Sequence, residues 1–222
     1  MYRTVAVIPA FNEEEQISNI VKKTKKYVDC VIVVDDGSKD RSGALAREGG
    51  AKVISLKENR GKGFALRTGF REALKLNPEF VITLDSDGQH KPEQIPEFLK
   101  AVKDNDMVIG SRFKGELRTS RRNTVGNIGL TFGVNLLSFG LNGKKWLTDT
   151  ESGFRAYKSS ALKRLDLKGD KFEIEDEQIL EASRKNLKIK EIPIYVPSKV
   201  KGATVFDGLR NALYITKRRL FG

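Results

Sequence analysis

Short runs of apolar, mostly β-branched residues recur through the first half of the chain, separated by segments of helical periodicity. The runs lie at Val5–Ile8, Val31–Val34, Val53–Leu56, Val81–Leu84 and Met107–Ile109. Three of the intervening segments space apolar residues three or four positions apart, as amphipathic helices do. These residues are Ile17, Ile20, Val21 and Val28, then Leu66, Phe70, Ala73 and Leu74, then Ile95, Phe98, Leu99 and Val102. Strands that are apolar throughout are typical of a parallel sheet with helices on both faces. The pattern therefore predicts an α/β fold with a doubly wound, mostly parallel sheet.

The second half of the chain has a weaker pattern. Ile128–Leu141 is an apolar segment of 14 residues, and it fits either a core helix or a helix lying in a membrane interface. Glu177–Asn186 has helical spacing and leads into a strand, Ile189–Val196, in which Pro193 favours an edge position. We expect the tail, Asp207–Phe221, to form a basic helix of moderate amphipathicity.

Polar residues cluster directly after four of the predicted strands. The clusters are Asn12-Glu13-Glu14, Asp35-Asp36-Gly37-Ser38, Asp85 to His90, and Gly110-Ser111-Arg112. One aspartate after a strand usually belongs to a turn or caps a helix. Ligands of open parallel sheets, however, bind beyond the carboxyl ends of the strands. Four clusters at that one edge therefore predict a binding site.

Asp85-x-Asp87 offers the clearest chemistry among these clusters. Two carboxylates one residue apart on a turn can both approach a hard divalent cation, and Gln89 continues the alternation with a third oxygen. Mg²⁺ or Mn²⁺ held by few carboxylates and by substrate phosphates neutralises a diphosphate leaving group. The pair alone is a weak signal, and its position after a buried strand strengthens it. We predict a metal site of Asp85, Asp87 and Gln89.

Three other polar features have alternative interpretations. Asp36 is placed either to accept hydrogen bonds from a nucleotide's base or ribose, or to cap the helix that starts near Asp40. Asn59-Arg60-Gly61-Lys62-Gly63 lacks the spacing of a P-loop or of a dinucleotide fingerprint, so its glycines are interpreted as allowing a helix to approach the sheet. His90, the only histidine, is interpreted as a structural part of the turn before Pro92.

Composition narrows the range of partners. Lys and Arg outnumber Asp and Glu by 41 to 29, giving a net charge of +12. This excess favours phosphorylated ligands, nucleic acid or an acidic bilayer, although general surface charge is the alternative. Cys30 is the single cysteine, which excludes an intrachain disulfide and suits a reducing compartment. We find no secretory signal pattern and no apolar run of the roughly 18 residues that a spanning helix needs.

Taken together, the motifs closely resemble those of the family 2 glycosyltransferases, and most of all the dolichol phosphate mannose synthase branch. The resemblance covers nearly the whole chain in the family's order. Its pieces are Ile8 to Glu14, Val34 to Asp40, Asn59 to Gly63, Asp85 to Pro92, Gly110-Ser111-Arg112, Asp149, Ser152 to Tyr157 and Glu191 to Ile194. It implies the nucleotide-sugar-binding GT-A fold in a single domain, 1–222, with a nucleotide-binding half (1–112) and an acceptor-side half (113–222).

The resemblance also implies residue roles. Those implied to hold the nucleotide are Pro9, Phe11, Glu13, Val34 and Asp36. Those implied to bind or border the metal are Asp85, Asp87 and Gln89, with Ser86 lining the site. The residues implied to be catalytic are Asp87, Arg112 and Asp149. Arg112 would contact a donor or acceptor phosphate. Asp149 and the turn Ser152–Arg155 would lie near the acceptor, which makes Arg155 an expected substrate-binding residue.

Two departures from the family's pattern affect these roles. Phe11 stands where many relatives have tyrosine, which keeps a stacking face and removes a hydroxyl. After the Pro-Ile strand, where the family often has an arginine, this chain has Lys199 and Lys201. We take these lysines as substrate-binding substitutes, although lysine lacks bidentate phosphate geometry.

The predicted function is inverting transfer of a sugar from a GDP- or UDP-sugar to a polyprenyl (dolichyl) phosphate. The alternative acceptor is a hydroxyl on a soluble glycan or polysaccharide, which would require a carboxylate base such as Asp149 or Glu177. A nucleic-acid binder is disfavoured, because that class needs interleaved basic and aromatic residues, whereas the clusters here are acidic.

The basic residues also bear on location. The tail helix and the arginines beside Ile128–Leu141 (Arg118, Arg121 and Arg122) are placed to contact anionic lipid. The alternative is a core helix with solvated basic residues. Many relatives carry C-terminal transmembrane helices and this sequence has none, so we expect peripheral association with the cytoplasmic face of a membrane.

Overall fold

One seven-stranded sheet organises the computed structural model, which describes residues 3–114, 131–140, 146–196 and 205–221. The strands are β1 (Thr4–Ala10), β2 (Cys30–Asp35), β3 (Lys52–Ser55), β4 (Phe80–Thr83), β5 (Met107–Ser111), β6 (Arg155–Lys158) and β7 (Ile189–Pro193). The helices are α1 (Ile17–Thr24), α2 (Ser42–Glu48), α3 (Lys62–Lys75), α4 (Ile95–Val102, after a 3₁₀ turn at Pro92–Gln94), α5 (131–139), α6 (Ser159–Leu162), α7 (Glu173–Arg184) and α8 (Val205–Phe221).

The strands follow the order β3-β2-β1-β4-β6-β5-β7. Strand β6 runs antiparallel to both of its neighbours, β4 and β5, and the other pairings are parallel. The prediction of a mostly parallel sheet is thus confirmed. Strand β7 lies at one edge of the sheet, as Pro193 indicated.

Helices cover both faces of the sheet and enclose two apolar cores. On one face, α3, α5 and α7 pack against β1, β2 and β5, with Phe70 and Ile174 among the buried side chains. On the other face, α1, α2 and α4 contribute residues such as Ile20 and Phe98. The central strands are therefore covered by helices on both faces, which is why their sequences do not alternate between apolar and polar residues.

The sheet differs from the prediction in one strand. The sequence analysis placed a turn at Ser152–Arg155 and no strand after it, whereas Arg155–Lys158 forms β6 between β4 and β5. A four-residue strand with a basic residue at each end has no apolar run to reveal it. Because β6 and β7 come from the second half of the chain, the two halves share one sheet.

The apolar segment 128–141 is helical over residues 131–139. Val134 is buried, and the buried Asn135 amide donates to the carbonyls of Thr131 and Leu147 and accepts the N–H of Leu147. Phe132 and Leu136 remain exposed. The helix therefore packs through one face only. The basic residues Arg118, Arg121, Arg122, Lys199 and Lys201 lie outside the described residues.

Helix α8 packs against α7 mainly through polar contacts. The buried Glu177 carboxylate accepts the Tyr214 hydroxyl at 2.9 Å and the Arg218 Nε at 2.8 Å through its Oε1 atom. Ile215 is buried beside them, whereas Leu213 and Leu220 are exposed. Leu213 and Leu220 thus face solvent. In the part of the chain that the structure describes, no helix is long and apolar enough to cross a membrane.

Replacing Arg218 with methionine is expected to lower the free energy of unfolding by about 2 kcal/mol, because the buried Glu177 carboxylate loses its charged partner. Tyr214 and two backbone N–H groups still bind Glu177, which limits the loss. Urea denaturation of Arg218→Met against the exposed neighbour Lys217→Met measures the difference. Equal midpoints for the two variants would contradict this role.

Candidate active site

A cavity of about 640 Å³ opens where the four polar clusters were predicted to meet. Several predicted residues line it: Pro9, Phe11, Glu13, Asp36, Asp85, Ser86, Asp87, Gln89 and Arg112. The rest of the wall comes from the start of α3, the loop before β6 and the start of α7. The carboxyl ends of β1, β2, β4 and β5 therefore deliver their polar residues to one space.

Asp36 fixes the loop that leads into α3. Its two carboxylate oxygens accept the backbone N–H groups of Arg60 and Gly61, each at 2.8 Å. Helix α2 begins at Ser42, and Asp40 accepts its N–H, so the alternative role of Asp36 as a cap for that helix is wrong. Each oxygen of Asp36 can accept a further hydrogen bond, so the carboxylate remains available to a ligand in the cavity.

The turn after β4 holds its two aspartates differently. Asp87 accepts the backbone N–H of Gln89 at 3.0 Å and the Gln89 side-chain amide at 2.6 Å. The backbone N–H of Asp85 donates to Nδ1 of His90 at 3.0 Å. Burial lowers the pKa of His90 although Asp85 and Asp87 oppose the shift, and the imidazole packs at a tilt against the ring of Phe154. His90 is thus a neutral, structural part of the turn, as its sequence context indicated.

Lys62, the first residue of α3, joins Asp85 to a second acid. Its ammonium lies 2.7 Å from Asp85 Oδ1 and 2.7 Å from Glu175 Oε1. Burial alone would raise the pKa of Asp85, but the charge of Lys62 lowers it to about 2. The Asp85 carboxylate is therefore ionised and already in contact with a cation.

The turn after β4 fits a divalent metal. Asp85 and Asp87 offer carboxylate oxygens, and the side-chain oxygen of Gln89 points away from the bond that its amide nitrogen donates to Asp87, so it is a third candidate ligand. Among the described residues, no three His, Cys, Asp or Glu side chains form a metal cage. A site of two carboxylates therefore requires other oxygens, which is how Mg²⁺ commonly binds with substrate phosphates.

Arg112 reaches the cavity from the end of β5 and is held from behind by Asp149. Its Nε and Nη2 atoms donate to the two Asp149 oxygens at 2.7 Å each, and its backbone N–H donates at 3.0 Å. Glu191 in turn accepts the N–H groups of Thr148 and Asp149. This fork leaves the other edge of the guanidinium for the cavity, and charge-assisted pairs of this kind fix orientation.

Three residues that the resemblance implied as site residues do not line the cavity. Asp149 is fully buried with both oxygens on Arg112, which argues against a general-base role and makes it a positioning residue for Arg112. Val34 packs in the core beneath Gly69 of α3. Arg155 is buried, and it donates to the carbonyls of Thr150, Ser152 and Glu175. It therefore holds the loop before β6 against α7 and does not line the cavity.

The other candidate base, Glu177, is occupied too. Its Oε2 atom accepts the N–H groups of Lys168 and Gly169 at 2.9 and 2.7 Å, and its Oε1 atom binds α8. Among the described acidic residues of the second half of the chain, those that line the cavity are Glu151 and Glu175. The sequence signals for them were the acidic run at the start of α7 and the proximity of Glu151 to Asp149.

Glu151 forms a buried carboxyl pair with Asp176. Burial raises the pKa of Glu151 to about 7, and burial together with the neighbouring Glu151 carboxyl raises the pKa of Asp176 well above its usual value. Two neighbouring buried carboxylates would repel each other if both were ionised, so at least one of them keeps a proton. The pair is thus protonated in the folded chain near neutral pH.

This pair predicts a fall in stability with rising pH. Raised pKa values stabilise the fold below the unfolded-state pKa of about 4, and the contribution is lost as the pH rises through about 7. We expect Asp176→Asn to unfold with a free energy higher by about 1–3 kcal/mol at pH 8 and with a flatter pH dependence than the unmodified chain. Thermal unfolding from pH 5 to 8 measures this, with the exposed Glu97→Gln as control. Parallel curves for the unmodified chain and Asp176→Asn would rule out the shared proton.

Comparison with known proteins places this site in context. The family profile described as glycosyl transferase family 2 matches residues 5–166. The UDP-N-acetylglucosamine–dolichyl-phosphate N-acetylglucosaminyltransferase of Methanococcus voltae is 34% identical over 92% of this chain and 91% of its own length. The polyprenol monophosphomannose synthase of Mycolicibacterium smegmatis is 31% identical over 96% of this chain and 84% of its own.

A solved structure shares the fold at lower identity. Glucosyl-3-phosphoglycerate synthase from Mycobacterium tuberculosis, in complex with Mn²⁺, uridine diphosphate and glucosyl-3-phosphoglycerate, superposes with a TM-score of 0.73. The two chains are 19% identical, and the match covers 98% of this chain and 80% of the other. At that identity the likeness shows the fold alone, and it confirms the expected GT-A type.

Proposed function

The chain belongs to glycosyl transferase family 2 and is a glycosyltransferase, and we propose that it moves a sugar from a GDP- or UDP-sugar to a polyprenyl phosphate with a divalent metal. The observation that carries the proposal is the cavity itself. Within it, Asp85 and Asp87 from the end of β4 face Arg112 from the end of β5. Two carboxylates for a cation beside a fixed guanidinium suit a donor diphosphate and a second phosphate.

The donor half of the proposal rests on the residues around the nucleotide-binding edge. Pro9, Phe11, Glu13 and Asp36 line the cavity, and Phe11 is partly exposed there with a face on which a base can stack. Mg²⁺ or Mn²⁺ held by Asp85, Asp87 and Gln89 would neutralise the departing nucleoside diphosphate. The solved relative named above contains Mn²⁺ and uridine diphosphate, which supports a metal-dependent donor site.

The acceptor half rests on charge and on the two relatives, whose names specify dolichyl phosphate and polyprenol. A phosphate monoester is already anionic, so it can attack the anomeric carbon without losing a proton to a base. Direct attack inverts the configuration at that carbon. Arg112, held by Asp149, would orient the acceptor or donor phosphate and stabilise the charge of the leaving group.

A membrane surface is the proposed location of the acceptor. The chain carries +12, and α5 and α8 expose Phe132, Leu136, Leu213 and Leu220. Exposed apolar side chains on α5 and on the basic helix α8 suit peripheral binding to anionic lipid. We propose binding at the cytoplasmic face, where nucleotide sugars would be available.

A hydroxyl acceptor is the second candidate. The observation in its favour is that Glu151 and Glu175 reach the cavity, because a hydroxyl nucleophile needs a carboxylate base within hydrogen-bonding distance. Glu175 is paired with Lys62, however, and Glu151 with Asp176. Each carboxyl group would therefore have to break the contact with its partner before it could act as a base.

Radiolabelled transfer distinguishes these functions. GDP-mannose, UDP-glucose and UDP-N-acetylglucosamine would each be incubated with dolichyl phosphate in detergent, with Mn²⁺ or with EDTA. The proposal predicts label in the organic phase from one donor, dependent on metal and on the lipid phosphate. Label transferred only to soluble glycans would favour the second candidate. Absence of transfer from every donor to either acceptor would contradict both.

A further inference from the structure

The ion pairs of Lys62 occupy one of the two carboxylates that the metal would use. The ammonium lies 2.7 Å from Asp85 Oδ1 and equally close to Glu175 Oε1. Within the described residues, no other lysine or arginine forms an ion pair with Asp85. The Lys62 ammonium thus already contacts a carboxylate that the divalent metal would also bind.

The backbone around Lys62 fixes its position. Gly61 adopts φ +100°, and a Cβ atom on it would lie 2.4 Å from the carbonyl of Asp170. A Cβ atom on Gly63 would lie 2.4 Å from the carbonyl of Gly169, and the N–H of Phe64 donates to Asp170 at 3.0 Å. The start of α3 is therefore packed against the loop that leads into α7, the helix that carries Glu175.

These contacts tie Lys62 to Glu175 more firmly than to Asp85. Lys62 and Glu175 stand on two segments that pack directly on each other, whereas Asp85 stands on the separate turn after β4. The Glu175 side chain is 4% exposed, and that of Asp85 is 27% exposed. Asp85 is thus the partner that a solvent-borne cation can reach.

We propose that Lys62 is a positioning residue that competes with the divalent metal for Asp85, so that the metal binds well only when the donor diphosphate is present. This inference rests on the proposed donor site. A divalent ion and an ammonium group repel each other strongly at a shared carboxylate oxygen, so one must leave. The diphosphate offers Lys62 a new anionic partner inside the cavity while Glu175 keeps its hold.

The arrangement orders the binding events. Before the donor arrives, Lys62 neutralises two acids that would otherwise repel each other and attract metal. When the donor arrives with its negative charge, Asp85 is released to the metal. Metal and donor therefore bind with positive coupling, which is reciprocal by thermodynamic necessity.

Mn²⁺ affinity of the folded protein, measured by calorimetry and by the loss of the free Mn²⁺ paramagnetic signal, tests this without turnover. Lys62→Met is expected to bind Mn²⁺ at least tenfold more tightly than the unmodified chain in the absence of nucleotide. With saturating UDP or GDP the difference should shrink to less than about threefold. Glu175→Gln should act in the opposite direction, because Lys62 then has only Asp85 as a partner.

Two controls keep the result interpretable. Lys57→Met removes an exposed lysine from the segment before α3 and should leave Mn²⁺ affinity within about twofold of the unmodified chain. Lys62→Gln keeps a hydrogen-bond donor beside Asp85 without the charge, and it replaces Lys62→Met if the latter fails to fold by circular dichroism.

Equal Mn²⁺ affinity in Lys62→Gln and the unmodified chain, with nucleotide-dependent Mn²⁺ binding intact in both, would overturn the inference and leave the proposed function standing. Absence of Mn²⁺ binding with every nucleotide would overturn the inference together with metal dependence. The opposed shifts in Lys62→Met and Glu175→Gln would support the inference even if the lipid phosphate proved to be the wrong acceptor.

Discussion

Asp87→Asn is expected to lower kcat/KM for sugar transfer by at least about 1000-fold while leaving the fold intact. A metal ion at a diphosphate supplies several kcal/mol of charge stabilisation, and about 1.4 kcal/mol corresponds to a factor of ten in rate. The neutral asparagine keeps an oxygen that can accept the Gln89 N–H, so the turn after β4 should retain its shape. Steady-state transfer assays at saturating Mn²⁺, with calorimetry of donor binding, measure the effect.

Asp87 is a sharper test than Asp85 because of what each carboxylate contacts. Asp85 forms the ion pair with Lys62 and contacts His90, so its replacement would disturb the wall of the cavity as well as the metal site. Asp87 bonds only to Gln89 among the hydrogen bonds of the described residues. The exposed Asp104→Asn serves as the charge-matched control. Near-normal kcat/KM in Asp87→Asn would show that this turn does not bind the metal.

The sequence predicted the fold where local pattern and burial agree. Strands β1, β2 and β4 are continuous apolar runs because both of their faces are covered, and their polar residues begin where the strands end. The binding edge could therefore be located from strand ends alone. The same reasoning identified Asp85, Asp87 and Arg112, which line the cavity.

The pattern of apolar residues could not predict which distant segments of the chain pack together. Strand β6 begins with Arg155, a residue type that is rarely buried, and its burial depends on carbonyl groups of the loop before it and of α7. Lys62 stood in a recognised motif, yet its partner Glu175 lies on a helix that packs against α3 only in the folded chain. The direction of a side chain could not be predicted from the motif either. Val34 lies only two residues before Asp36, yet its side chain faces the core.

The corrections at Asp149 and Arg155 share one physical reason. Both side chains are buried, charged and fully engaged by partners, so they act on the cavity through other residues. Asp149 sets the orientation of Arg112, and Arg155 sets the loop that carries Glu151 and Ser152. A residue can thus shape a binding cavity without lining it.

Arg112→Lys is expected to reduce kcat by about 100-fold to 1000-fold, which is the usual effect of removing one fixed donor from a developing charge. Lysine cannot bind both oxygens of Asp149 and also present a donor to the cavity, because its single ammonium lacks the planar fork. The buried Asp149 then loses half of its pairing, so the melting temperature should fall as well. Transfer assays and thermal unfolding on the same preparation separate the two effects.

Asp149→Asn provides the matched comparison for this residue. It keeps the guanidinium and removes only the charge that orients it, so we expect a smaller loss of kcat than in Arg112→Lys and little change in KM for the donor. The double variant should lose no more than Arg112→Lys alone, since the two residues act as one unit. The exposed Arg71→Lys controls for the loss of a guanidinium elsewhere on α3. Additive losses in the double variant would mean that Asp149 contributes separately from Arg112.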